Sequence, residues 1–327
     1  MRPFLFLSGV NSRGYSRVLQ RKITDFGADT PFKKVNEKLK EHYGITVPEN
    51  SPRAITLCHA GHIKKCQESV LGKIESAGVD CIISETDGSM VPIVQTVKAV
   101  ENEKVDRRKG KVLIYREAKL TLAHEKGSVT PTFSATFGDA KKAGEHMLHC
   151  VKTVGANKKT KVHCVGDGAV WIANQIEEHF GTNATYLIDF CHMSDYLSAA
   201  ASSCAPGNEK SWLDKQKALL KASHWAQVLL ALQPHIEAQD IAEEDAPVRA
   251  CYRYIKNRPH QLDYKAAIDN DLPIGSGEIE SAHRYVIQKR LKIAGAWWLE
   301  ENAGKMLALR VNRANEQWES YWMRDAA

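Results

Sequence analysis

The sequence predicts an α/β protein: a mixed five-stranded sheet flanked by helices, with a small helical N-terminal region and a helical insertion before the last helices. Three observations predict it. Short Val- and Ile-rich runs occur at Val79–Ser84, Ser89–Gln95, Lys111–Leu122, Lys161–Val165 and Ala184–Phe190. Helical periodicity at Ala140–Val154 and Trp171–Phe180 separates the later runs, as parallel crossovers require. From 193 to 270 strand signal nearly vanishes, and helical patterns broken at Pro206-Gly207, Pro234 and Arg258-Pro259 take over.

With 327 residues the chain can build one large domain or a few smaller ones around a sizeable core. Its 45 Lys and Arg exceed its 39 Asp and Glu, and the net charge of +6 favours an anionic partner such as nucleic acid. Eight cysteines lie far apart with no CxxC pair, which reads as reduced thiols in a cytoplasmic protein. The start MRPFLFLSGV is too short in its apolar run for a secretory leader, and no run reaches transmembrane length, so no membrane partner is expected.

Residues 1–29 show no strong period and read as a poorly packed lead-in. Thr30-Pro31 reads as an N-cap followed by Pro, and Phe32, Val35 and Leu39 then recur at helical spacing until Gly44. Ser51-Pro52 opens a second helix from about Arg53 to Cys66, continuing toward Ala77. This pair is either a helix-turn-helix element or an ordinary helix pair packed on the main domain. Cys58, His59, His62 and Cys66 all lie on that one helix, whereas zinc sites usually draw ligands from two elements, so zinc is not expected. Thr86-Asp87-Gly88-Ser89 reads as a strand, an Asp-Gly turn and a second strand. The basic run Lys104–Lys111 reads as a loop before the third strand. Asp139 caps the helix that Gly155 ends. The resulting division is 1–77 for the N-terminal helices, 78–192 for the first part of the core, 193–270 for the insertion and 271–327 for the completion of the core.

The stretch Lys161–Phe180 runs from a strand through Gly166-Asp167-Gly168-Ala169 into a helix. A carboxylate between two glycines at a strand end projects from a rigid edge, where a metal ion or phosphate can approach the backbone. Taken alone, Asp167 is more simply a helix cap. Other acids in matching places shift the balance: Asp87 after the first strand, and Glu278 or Glu280 beyond the glycine-rich turn Leu272–Gly277. Two residues apart on a helix means about 200° around it, so only one of these glutamates can face a site that Asp87 and Asp167 share.

Thr86–Pro92, Gly166–Ile172, Ile188–His192 and Leu272–Ser281, continuing through Arg290-Leu291-Lys292 and Trp298, together resemble the blocks of a bacterial insertion-sequence transposase of the Asp-Asp-Glu type, related to the Mutator-like elements. The resemblance spans roughly residues 80–300, apart from the insertion. It implies a ribonuclease-H-like fold in which Asp87, Asp167 and Glu280 are the catalytic acids and metal ligands for two Mg²⁺ or Mn²⁺ ions. The family pattern GSG-x-x-E-S is what places the third acid at Glu280 rather than Glu278. Asp189 and His192 match a second signature of these relatives, an Asp or Cys with two residues between it and a His, which implies a place near the site.

A transposase implies DNA partners, both the element's terminal repeats and target DNA, and a homo-oligomer on DNA in the nucleoid-associated cytoplasm. Candidate phosphate contacts are Arg107, Arg108 and Lys109 in the basic loop, and Arg284, Lys289, Arg290, Lys292, Arg310 and Arg313 on the closing helices. A nuclease of the same fold that cuts without joining, and an inactive DNA-binding remnant, are the alternatives. Trp297-Trp298 is expected to be core, with stacking on an exposed base as the other reading.

Overall fold

A computed structural model describes residues 14–71, 78–96 and 110–324. Its centre is a five-stranded sheet ordered β3-β2-β1-β4-β5, comprising β1 (Cys81–Thr96), β2 (Lys111–Glu125), β3 (Thr132–Thr136), β4 (Lys161–Gly166) and β5 (Ala184–Ile188). β1–β2 and β2–β3 pair antiparallel, while β1–β4 and β4–β5 pair parallel. This is a mixed α/β sheet flanked by helices, consistent with a ribonuclease-H-like arrangement.

Asp87-Gly88 is not a turn. β1 is one strand of 16 residues running straight through it, with Asp87 opposite Leu120 and Gly88 opposite Lys119. The two expected strands on either side of Asp-Gly are therefore one, because a continuous ladder to β2 satisfies the backbone through both residues. The third strand before the first crossover is instead β3, a five-residue stretch, TFSAT, too short and polar to signal itself. Asp87 nevertheless marks a boundary: pairing with β4 spans Cys81 to Glu85, after which β1 continues with β2 alone.

Side-chain alternation divides the sheet into two faces. On one, α4 (Ala140–Val154) and α5 (Val170–Phe180) cover Ile82, Ala123, Val162 and Cys164 with Met147, Cys150, Val151, Ile172 and Ile176. α4 begins at Asp139, whose Oδ1 accepts from the Lys142 N–H at 2.8 Å, and stops at Gly155. On the other face, Val91, Ile93, Leu120 and Leu122 pack against Ile279, Ile287, Met306 and Leu309 of the closing helices. These helices are α11 (Gly277–Ala282), extended by a π-helical segment, His283–Gln288, and a last turn, Lys289–Leu291; then α12 (Glu300–Ala314) and α13 (Trp318–Arg324). The single helix expected over Glu300–Trp318 is thus two.

The N-terminal helices are α1 (Arg17–Asp29), α2 (Phe32–Tyr43) and α3 (Ser51–Val70). The lead-in expected to be poorly packed is in part a capped helix: Ser16 caps α1, and Ile23 and Ala28 are fully buried. Thr30 is not an N-cap; its hydroxyl donates to the Phe26 carbonyl and closes α1. Gly44 ends α2 at φ 64°, as its type allows. His59 of α3 bonds Tyr321 Oη at 2.7 Å and Gln20 Oε1 at 2.9 Å, and Cys58 and Cys66 are exposed free thiols.

The region from 193 to 270 carries its own core, in which Met193, Leu197, Leu220, Val228, Leu232, Val248, Ile255 and Tyr264 meet Leu187 and Ile188 of β5. Its helices are α6 (Phe190–Cys204), α7 (Glu209–Lys221), α8 (Trp225–Leu232), α9 (Pro247–Lys256) and α10 (Tyr264–Asp269). The long helix expected over Glu209–Leu232 is broken at Ser223, which adopts φ 60°. No described helix is long and apolar enough to cross a membrane.

Candidate active site

Asp167 follows β4, the parallel partner of β1, and Asp87 lies two residues past the end of their pairing. Both belong to the face covered by α11, which carries Glu280. The three carboxylates, from three elements, line one cavity of about 280 Å³ with Asp189, Cys191, His192, Asp195 and Ser276. Glu278 is not in that lining; it points to β2, where its Oε2 lies 3.3 Å from His124 Nε2. The two glutamates thus face apart, as their separation on a helix requires.

Each aspartate is oriented by its own backbone. Asp167 Oδ1 accepts from the Ala169 N–H at 2.8 Å, and Asp87 Oδ1 accepts from the Gly88 N–H at 2.7 Å. Asp87 Oδ2 faces His283 Nε2 at 3.2 Å. His283 is buried at the start of the π-helical segment, one turn after Glu280, so the helix presents a ring to one acid just beyond the carboxylate that α11 presents to the cavity.

The loop carrying Ser276 is fastened to the middle of β4 and to the residues just after β5. The Phe190 N–H donates to Ile274 O at 2.8 Å, and His163 Nε2 lies 2.8 Å from Pro273 O. Asp189 accepts from the Ser276 hydroxyl at 2.6 Å through Oδ2 and from the His192 N–H at 2.9 Å through Oδ1. Both near-site candidates line the cavity, but their roles divide: Asp189 is a buried anchor for the Ser276 loop, whereas His192 stacks edge-on to Tyr196 and Tyr254.

Glu85 was not singled out in the sequence. It is 2 % exposed, and its Oε2 accepts from the Ile279 N–H at 2.8 Å. With the Ser276 hydroxyl committed to Asp189, Glu85 supplies the cap that α11 would otherwise lack. Burial pushes its carboxyl up to about 8 against the pull of the Ile279 N–H, and the charges of Glu278, Asp189 and Glu280 push the same way. The available signal was its position two residues before Asp87, on the same strand face. Asp195, one helical turn beyond His192, carried a similar signal. Cys191 is exposed, but partial burial and nearby carboxylates hold its thiol above the usual range, which disfavours a thiolate nucleophile.

A second group without a sequence signal comes from α9 and the turn that follows it. Tyr254 Oη donates to Asp167 O at 2.6 Å, and Arg258 Nε donates to Gly168 O at 3.2 Å. Tyr186 of β5 accepts from the Gly168 N–H at 2.9 Å. Gly168 has φ 79°, and a Cβ there would lie 2.2 Å from Tyr254 Oη, so the clamp requires glycine.

The cavity offers hard carboxylate oxygens, and no described residue lining it is Lys or Arg, a donor set suited to Mg²⁺ or Mn²⁺. The acids stand around the cavity rather than against one another. Among the described residues, no three His, Cys, Asp or Glu side chains are gathered closely enough to hold a metal as they stand.

Of the basic candidates, Arg284, Lys289 and Lys292 are exposed, with Lys289 Nζ 3.5 Å from Asp29. Arg290 is not free for phosphate: it is 2 % exposed, its Nε donates to Gly27 O, and its guanidinium lies between the Phe32 and Trp298 rings. Arg310 and Arg313 are paired with Asp29 and Asp25 of α1. Arg107, Arg108 and Lys109 lie outside the described residues.

The model of an uncharacterised protein family, UPF0236, matches residues 146–322, more than half of the chain. The chain belongs to this family. The matched stretch carries Asp167, Asp189, His192 and Glu280, while the strand bearing Asp87 precedes it. No curated protein matches the chain.

Proposed function

We propose that this protein is a DNA transposase of the Asp-Asp-Glu type, built on a ribonuclease-H-like core, that cleaves the ends of a mobile element and joins them to target DNA. One observation carries the reading: Asp87, Asp167 and Glu280, brought from β1, the end of β4 and α11, line a single acidic cavity where the pairing of the inner strands β1 and β4 ends, in a sheet ordered β3-β2-β1-β4-β5. Two divalent cations, when bound, would supply activation of water or a 3′-hydroxyl and stabilisation of the leaving oxygen in an in-line displacement. The chain's part is to hold the carboxylates. Asp87 and Asp167 present oxygens fixed by backbone N–H groups, and Glu280 is set by a helix capped by Glu85 and a loop anchored by Asp189. Exposed Arg284 and Lys292 would meet phosphate, and DNA in the nucleoid-associated cytoplasm would be the partner, engaged by more than one copy.

The test is a strand-cleavage and joining assay with Mg²⁺ on DNA carrying the element's own termini. Nicking followed by joining is expected. Asp167→Asn and Glu280→Gln should each lower cleavage at least a hundredfold while leaving DNA affinity within about twofold; unimpaired cleavage by either would remove that residue from the site. Cleavage without joining would assign a nuclease, and binding alone an inactive remnant.

A further inference from the structure

The adjacent tryptophans, expected to be core, have different fates. Trp298 is 5 % exposed and bridges to β1, where the Val94 N–H donates to its carbonyl at 2.7 Å. Trp297 is 68 % exposed. Both line a cavity of about 500 Å³ where α2 and α3 meet the turn before α12, together with Phe32, Arg53, Lys111 and Arg290. No described residue lining it is acidic. Arg53 and Lys111 are exposed and form no ion pair among the described residues. Two buried donors on its wall, Arg290 Nη2 and Trp298 Nε1, have no acceptor among the described residues. An aromatic surface, unbalanced positive charge and unmatched donors together suit a planar, acceptor-rich anion.

We propose that this cavity is a nucleotide site that takes an unpaired DNA nucleotide, with the base against Trp297 and the phosphate between Arg53 and Lys111. The identification of DNA as the source rests on the transposase reading; the nucleotide chemistry rests on the cavity alone. A base offers a π face to the indole and carbonyl or ring-nitrogen acceptors to the wall, and its phosphate matches the charge. Arg290 holds the wall without touching solvent, its guanidinium fixed between Phe32 and Trp298. Val94 lies on the same strand as Asp87, roughly 23 Å along it, so one DNA strand can reach both the cavity and the acids.

The experiment uses the full chain without divalent metal and a short single-stranded oligonucleotide carrying one 2-aminopurine. Anisotropy reports binding, and 2-aminopurine emission reports stacking. The expected result is quenched emission on binding, with Trp297→Ala abolishing the quenching and weakening binding about tenfold. The double variant Arg53→Ala/Lys111→Ala should weaken binding to a similar degree and lower its salt dependence. All three positions are exposed, so loss of the fold does not confound them. Unchanged quenching and affinity in both variants would overturn the proposal. Tighter binding of dAMP than of the oligonucleotide, with the same dependence on Trp297, would overturn the strand assignment in favour of a free nucleotide. Cleavage of element ends, assayed separately with Mg²⁺, tests the transposase reading: its absence with quenching intact removes that reading alone, and its presence with no effect of Trp297→Ala on quenching removes the nucleotide site alone.

Discussion

Glu85 and Asp87 stand on one face of β1, yet they do opposite jobs: one carboxylate is spent inside the protein, and the other faces the cavity. Glu85 fills the place of a helix cap from a neighbouring strand, so α11 is fixed to β1 by the residue beside the first candidate acid. Glu85→Gln keeps an oxygen for the Ile279 N–H and should leave stability within about 0.5 kcal/mol. Glu85→Ala leaves that N–H buried and unmatched and should cost about 1–3 kcal/mol. Urea denaturation of the two variants checks this. Equal losses would show that the hydrogen bond is not what fixes the helix, and the positioning of Glu280 would then have to rest on Asp189 and Ser276 alone.

At the scale of elements, α4 against β3 contains a titratable group well away from the acids. His146 is buried, with Nδ1 2.6 Å from Ser134 Oγ; burial, with help from the charges of Lys142 and His149, pushes it down to about 4 from 6.5. The unfolded chain therefore binds this proton more readily than the folded one between those values. The associated stability is intact above pH 6.5 and falls as pH drops toward 4, by up to about 3 kcal/mol. His146→Gln should flatten this acid limb in thermal melts while changing little at pH 7.5; an identical limb would mean that His146 is not the group responsible.

The same pair of elements shows what could be read from the residues alone. α4 announced itself through Asp139, the apolar spacing of Ala143, Met147 and Val151, and Gly155, because caps and periodicity are local. β3 did not, because Thr132–Thr136 owes its place to pairing with β2 rather than to its own composition. The split of β1 at Asp87-Gly88 failed for a related reason. A dipeptide that favours turns was overridden by the ladder to β2, a tertiary fact absent from the local pattern. Asp167 and the Glu278/Glu280 pair were legible because a strand end and a helix start are local signals, and the resemblance chose Glu280; Asp87 was marked by the same Asp-Gly dipeptide, although β1 runs on through it. The role of Asp189 as an anchor was not, since Ser276 lies 87 residues away along the chain.

In the whole molecule, the segment between β5 and the Ser276 loop is more than a spacer, for its helix α9 reaches back to grip the backbone at Asp167. Tyr254 and Arg258 bind the carbonyls of Asp167 and Gly168, and Tyr254 is itself held by stacking on Tyr196, ring centroids 4.2 Å apart. The sheet sets where β4 ends, and the insertion sets how the residue after that end is turned. Tyr254→Phe removes one hydrogen bond and keeps the ring, so about 1 kcal/mol of stability should be lost. On the proposed transposase reading the bond falls on a loop that bears one of the acids, so cleavage should drop severalfold while DNA affinity stays within about twofold. Trp225→Ala, in the insertion but remote from Asp167 in this bonding scheme, serves as the comparison: it should lower the melting temperature with a smaller effect on cleavage per folded molecule. If Tyr254→Phe lowers cleavage no more than Trp225→Ala at matched loss of stability, the insertion supports the site only by being folded, and the clamp on Asp167 has no part of its own in the chemistry.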